Sequence, residues 1–284
     1  MKWNVLCAGV VGVSLVVACG GSKKNRTDDG SDLNNYQLIW ADEFNNDGKP
    51  DSSNWRYERG FVRNEEHQWY QEDNAYCKNG LLVIEGRREA KPNPKFKPGG
   101  KDWRNRDSIH YTSSSINTST KHSWQYGRFV MRGKININDG LWPAWWTLGI
   151  KGEWPANGEI DIMEYYNKKL LANIASAEGR NKAYWFSNTF PIDSVGGQKW
   201  ASQFHVWRMD WDEQEIALYV DNVLLNKVAV ENLYNRDGRQ PHPFKQPHYM
   251  LLNLAIGGLN GGDPAHTQFP NKFEVDYVRV YQKK

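Results

Sequence analysis

Cysteine is scarce: of three in 284 residues, Cys7 and Cys19 lie in the opening stretch and only Cys77 is left for the remainder. That excludes an internal disulfide framework there, so stability has to come from a large core, which a chain of this length can supply. No block of lysine and arginine appears and the net charge is only +3, which argues against nucleic acid as a partner. The seven histidines show no metal-ligand spacing, and His205 reads as a satisfied core residue. Gly257-Gly258 and Gly261-Gly262 are followed by neither a helical pattern nor Lys-Ser/Thr, which excludes a phosphate loop and suits backbone approaching a cleft. Internal repeats are absent, and convincing helical periods are few.

The single long apolar run stands at the start. Met1-Lys2 supplies a positive end, and Val5 to Val17 is apolar apart from small or weakly polar residues, closing on Val16-Val17-Ala18-Cys19. Such a run is too short to span a membrane comfortably and reads as a secretory signal. Its ending resembles the bacterial lipobox, which implies an acylated Cys19 and an exported lipoprotein. The expected place is the outer membrane of a Gram-negative bacterium, with membrane contact through the lipid. Residues 1–18 are then the signal peptide and 19–35 a flexible tether, because 20–32 offers no large apolar side chain to bury. Residues 36–284 remain as one domain, expected to be a monomer.

What the chain has in abundance is aromatic rings: 14 Trp, 14 Tyr and 10 Phe. Some must fill the core, but flat amphipathic rings also suit the C–H faces of sugars. From residue 37 onward, short apolar segments alternate with Gly, Asn, Asp and Pro clusters. Strands are predicted over 37–44, 81–87, 113–118, 127–134, 144–148, 159–163, 205–211, 215–220, 249–254 and 274–281, with loops at 89–110 and 181–200. In the last strand Val275, Tyr277 and Arg279 should face one way, and Glu274, Asp276, Val278 and Val280 the other. The pattern points to an all-β sandwich.

One segment carries chemistry: Glu159-Ile160-Asp161-Ile162-Met163-Glu164. On a strand Glu159 and Asp161 share a face, and strict alternation would then place Met163 there instead of Glu164. One extra residue around Ile162–Met163, a β-bulge, would turn Glu164 back to the acids. Three converging carboxylates repel, raising at least one proton affinity, as a general acid requires. The alternative is a solvated strand face, but the flanks are aromatic and the interleaved residues are Ile and Met.

At these residues the chain resembles glycoside hydrolase family 16. The acidic motif is preceded by Leu141-Trp142-Pro143-Ala144-Trp145-Trp146, and further matches follow in order: Phe204-His205-Val206-Trp207, Leu218-Tyr219-Val220-Asp221, Leu252-Asn253-Leu254-Ala255-Ile256-Gly257-Gly258 and Val275-Asp276-Tyr277-Val278-Arg279-Val280-Tyr281. The resemblance implies a β-jelly-roll sandwich of two antiparallel sheets, with an open substrate cleft on the concave face, and a retaining double displacement. It implies Glu159 as nucleophile, Glu164 as acid/base and Asp161 as the helper between them, with no metal and no organic cofactor. A retaining pair stands roughly 5–5.5 Å apart.

Trp142 and Trp146 are four apart on one strand and share a face, with Ala144 leaving space between them and Trp145 directed into the core. They are candidates for stacking platforms. Asn64, Glu66, Gln68 and Tyr70 alternate in a segment resembling the family's N-x-E-x-Q-x-Y, which implies contacts to sugar hydroxyls at the cleft edge; a satisfied strand is the alternative. Laminarin- and lichenin-cutting members usually carry an H-G-x-x-H strand after the acid/base, whereas residues 171–179 here hold no histidine. With Tyr184-Trp185-Phe186 and Gly261-Gly262-Asp263-Pro264, the stretch is more similar to gut-bacterial endo-β-galactosidases acting on mucin-type and poly-N-acetyllactosamine chains. The expected partner is therefore an oligosaccharide or polysaccharide. An endo-β-1,3(4)-glucanase and a non-catalytic lectin-like sandwich remain as alternatives.

Overall fold

The computed structural model describes residue 28 and residues 30–284. The expected signal peptide and Cys19 lie outside the described residues. In chain order the strands are β1 (Tyr36–Asp42), β2 (Arg56–Tyr57), β3 (Gln68–Tyr70), β4 (Ala75–Lys78), β5 (Leu81–Pro92), β6 (Ser108–Ser113), β7 (Ser115–Asn117), β8 (Gly127–Lys134) and β9 (Leu141–Gly149). There follow β10 (Glu159–Tyr166), β11 (Lys169–Gly179), β12 (Lys182–Pro191), β13 (His205–Trp211), β14 (Glu215–Val220), β15 (Val223–Ala229), β16 (His248–Ile256) and β17 (Asn271–Lys283). Two short helices, α1 (Gly197–Ala201) and α2 (Gly258–Gly261), sit in connections. None of the helices among the described residues is long and apolar enough to cross a membrane.

Two sheets stack as a β-jelly roll. One runs β12-β11-β10-β9-β16-β7-β2; the other runs β15-β14-β13-β8-β17-β5-β6-β3, with β1 also on β17 and β4 on β5. Pairing is antiparallel throughout except β3 with β6. Between the sheets lies one large core, because alternate residues of each facing strand are apolar. Leu141 and Trp145 of β9, Ile160 of β10 and Leu252 and Leu254 of β16 meet Phe129 and Met131 of β8 and Trp207, Met209 and Trp211 of β13. The opposite parity of β9 and β16 builds a separate cluster on the outer face, with Ala144, Trp146 and Leu251 buried and Leu148 and Tyr249 packed against them. That outer face carries the site.

Four sequence expectations change. The loop at 89–110 shrinks to 93–107, since β5 continues to Pro92 and β6 starts at Ser108. The loop at 181–200 is mostly strand: β12 pairs with β11 from Lys182 to Pro191 and α1 follows. Its side chains are largely exposed as the sheet's edge, so no burial alternation marked it. In β17 a bulge between Val275 and Tyr277 reverses the phase. Val275, Val278 and Val280 therefore share the main core, while Tyr277 and Tyr281 pack on the other side. Finally, the end of the expected tether belongs to the domain surface. Leu33 is buried against Val130, Val206, Tyr277 and Tyr281, and Arg128 Nη1 donates to the Asp32 carbonyl at 2.6 Å.

Candidate active site

Glu159 opens β10 directly after Gly158, whose φ of +78° is left-handed and whose absent Cβ would meet Pro243 Cβ at 2.9 Å. From there β10 alternates until the bulge. Against β9, Glu159 pairs with Leu148 and Asp161 with Trp146, but Met163 pairs with Trp145 and Glu164 with Ala144. Ile162 is the extra residue, and both Ile162 and Met163 are fully buried in the core. The strand re-aims Glu164 to the side of Glu159 and Asp161, as bulges beside sites do.

A cavity of about 610 Å³ opens over this face, lined among others by Trp142, Trp146, Trp154, Glu159, Glu164 and Asn173. Glu164 is 9% exposed and Asp161 only 3%. Trp142 Nε1 donates to Glu164 Oε1 at 2.7 Å, and Asn173 Nδ2 reaches its Oε2 at 3.3 Å. Burial, followed by the charge of Glu159, pushes the Glu164 carboxyl up to about 8 against those two donors. Asp161 is raised well above the ordinary carboxylate range by burial and by the two flanking glutamates, and its carboxyl hydrogen-bonds Glu159. Glu159 is raised by burial too, but it accepts from the Trp154 indole and from Asp161, both of which favour its anion. The hydrogen bond between Asp161 and Glu159 favours the proton on Asp161 and the charge on Glu159, while burial favours a protonated Glu164.

Trp142 and Trp146 both lie on the cavity wall, as their shared parity on β9 required. The Trp146 indole donates to Asn253 Oδ1 at 2.7 Å, and the Arg63 guanidinium sits 5.1 Å over its ring. Of the alternating quartet only Asn64 lines the cavity. Glu66, Gln68 and Tyr70 are 2%, 0% and 0% exposed, so the expected contacts to sugar hydroxyls are closed to them. They form a buried brace instead. Gln68 Nε2 and the Tyr70 hydroxyl donate to Glu66 Oε2 at 2.6 and 3.2 Å, and Asn253 Nδ2 donates to the Tyr70 hydroxyl at 3.3 Å. The glycine pair after β16 holds Asn64 in place: Leu259 N donates to the Asn64 carbonyl at 2.9 Å, and a Cβ on Gly258 would fall 2.6 Å from that carbonyl oxygen.

Sequence reasoning missed ten of the fifteen lining residues, among them Arg63, Trp154, Asn173, Trp185 and Asn260. Asn173 had a signal, being a polar residue in the otherwise apolar run of β11, directly across from Asp161. Trp154 and Trp185, each 43% exposed, were visible as aromatics but not as neighbours. His205 is satisfied by Asp221 and the Trp200 carbonyl. No cluster of His, Cys, Asp and Glu among the described residues could hold a metal ion.

The profile of "Glycosyl hydrolases family 16" matches residues 63–279. A beta-glucanase of Rhodothermus marinus is 33% identical over 95% of this chain and 92% of its own. A keratan-sulfate endo-1,4-beta-galactosidase of Sphingobacterium multivorum is 28% identical over 87% of this chain and 55% of its own. Among solved structures, one from work on endo-acting O-glycanases that members of the human gut microbiota express to initiate mucin breakdown superposes with a TM-score of 0.79, at 31% identity, covering 88% of this chain and 92% of that one. The laminarinase catalytic domain of Thermotoga maritima gives 0.73 at 30% identity, covering 88% and 99%.

Proposed function

The chain belongs to glycosyl hydrolases family 16 and is an endo-acting glycoside hydrolase, and from that premise we propose that it is a retaining enzyme that cuts internal β-1,4-galactosidic linkages in O-glycan or poly-N-acetyllactosamine chains. The observation that carries the retaining reading is the bulge that sets Glu164, raised to about 8 by burial, beside an anionic Glu159 in one cavity. Glu159 attacks the anomeric carbon while Glu164 gives its proton to the leaving oxygen, which departs as an alcohol. The Glu164 carboxylate then takes a proton from water, and the resulting hydroxide displaces Glu159 with net retention. Asp161 holds its proton toward Glu159, biasing the charge to the attacking group.

For the galactosidic substrate, support comes from the two exposed indoles, Trp154 and Trp185, on the walls around Glu159. An axial 4-hydroxyl leaves one face of galactose as a continuous C–H patch, which suits stacking on indole. Asn173 across from Asp161, in a strand without histidine, also sets this site apart from the H-G-x-x-H pattern. A glucanase is the second reading, favoured by the Rhodothermus marinus and Thermotoga maritima relatives. The purified domain incubated with laminarin, mixed-linkage glucan, keratan and gastric mucin separates them. Oligosaccharides released from mucin or keratan alone support the proposal, and products from the glucans overturn it. Binding without release would make the protein a lectin. Acylation at Cys19 and outer-membrane placement are part of the same proposal; radiolabelled palmitate should enter the wild type and not Cys19→Ala.

A further inference from the structure

A second concave site lies outside the catalytic cavity, in the loop 93–107 between β5 and β6. Five cations, Lys95, Lys97, Lys101, Arg104 and Arg106, stand there against Asp102 and Asp107, so this one loop carries as much net positive charge as the whole chain. It is held in shape by its own side chains. Asn105 Nδ2 donates to the carbonyls of Lys97 and Gly100 at 2.7 and 3.0 Å, and Asn93 Nδ2 donates to the Arg106 carbonyl at 2.7 Å. It is also pinned to the segment that enters the active site: Arg104 Nη2 donates to the Val62 carbonyl at 3.0 Å and Arg106 Nη2 to the Glu65 carbonyl at 2.8 Å.

The loop and that segment enclose an open cavity of about 300 Å³, whose lining includes Phe61, Trp69, Lys95, Lys97, Lys101 and Arg104, with Asp102 as its one carboxylate. Its walls are aromatic. The half-buried Trp69 meets the buried Phe61 edge to face at 5.4 Å, and Trp103 stands behind Phe61 at 6.3 Å, so Trp69 is the ring open to the cavity. Lys95 Nζ lies 5.5 Å from the Trp69 ring centre, and Arg104 pairs with the exposed Asp102. Among the described residues, Lys97 and Lys101 face no carboxylate within salt-bridge distance. An indole that can take a sugar face, ringed by ammonium groups that can take an anion, makes a site for a saccharide bearing a sulfate ester or a carboxylate. From Phe61 to Asn64, which lines the catalytic cavity, the chain spans at most about 11 Å.

We propose that this groove binds an anionic sugar unit of the glycan whose neutral part occupies the catalytic cavity, favouring sulfated or sialylated chains. The inference rests on the galactosidic reading for its substrate but not for its binding site. The test therefore uses binding as well as turnover. In the Glu159→Gln background, calorimetry compares a keratan sulfate tetrasaccharide, its desulfated form and a sialylated lactosamine. Either anionic ligand should bind more tightly than the desulfated one, by about tenfold at low salt and less at high salt, and the tighter of the two identifies the anion. Lys95→Gln, Lys97→Gln and Lys101→Gln together should remove that preference and raise KM for the sulfated substrate. They should leave turnover of the neutral substrate unchanged. Equal affinity for sulfated and desulfated ligands, a preference untouched in the triple variant, or binding only to phosphatidylglycerol vesicles would overturn the proposal. Should the enzyme cut only glucans, the calorimetry still decides the groove.

Discussion

Trp142→Phe tests how the site holds the proton on Glu164. The substitution keeps an aromatic ring beside Tyr166 and removes one group, the indole N–H that donates to Glu164 Oε1 at 2.7 Å. That bond favours the charged carboxylate and works against burial, which has raised the group to about 8. A buried hydrogen bond to a charged group contributes about 1.5–3 kcal/mol, and one pKa unit is about 1.4 kcal/mol. Without the N–H, Glu164 should keep its proton some one to two units higher. The alkaline limb of kcat/KM moves up, while the plateau falls by about tenfold because the carboxyl is less well oriented. Asn173 remains as the second donor and limits the shift. The assay is a pH–rate profile of kcat/KM, with near-ultraviolet circular dichroism at each pH to confirm the fold. A limb that stays in place or moves down in a folded variant would refute the reasoning.

Glu159→Gln and Glu164→Gln should each lower kcat by about a thousandfold or more with KM little changed, read from initial rates. Only the Glu164 variant should recover the first step on aryl glycosides whose leaving group needs no proton, seen as a burst of released phenol, and full turnover should return when azide replaces water as the nucleophile. Because its carboxyl is raised in the fold, Glu164 favours folding below the ordinary carboxylate range, and that contribution is lost as pH rises through about 8. Denaturant titrations should show this slope in the wild type and a flatter one in Glu164→Gln. Deleting Met163 restores strict alternation yet leaves Glu164 on the cleft face, since Ile162 alone then fills the inward position. Turnover should stay well above that of Glu164→Gln while stability drops by about 2–5 kcal/mol, as for other lost core side chains.

Much of this molecule was readable in its residues where one face is buried and the other is not. Strands β8, β13 and β14 have the bounds that alternation predicts, and the parity of β9 separates Trp145 from Trp142 and Trp146. The need for a bulge in β10 followed from three acids that alternation alone could not bring together. Failures came where periodicity carries no information. β12 is an exposed edge, so its pairing with β11 and the placement of Trp185 depend on a neighbour the local pattern does not reveal. The bulge in β17, at Asp276, brings together no set of residues that alternation would have kept apart, and the phase was misread. Alternation of Asn64, Glu66, Gln68 and Tyr70 was correct as spacing, but spacing cannot say which face is open. Gln68 and Tyr70 are covered by partners far along the chain, among them Asn253 and the Ile256 amide.

The kinked strand and its shared carboxylates are tested most directly by the configuration of the newborn product. Proton NMR recorded during the first minutes of hydrolysis, before mutarotation, should show the β anomer of the new reducing end appearing first and the α anomer growing in later. An α anomer at the outset would mean a single displacement by water, and Glu159 could not be the group that attacks.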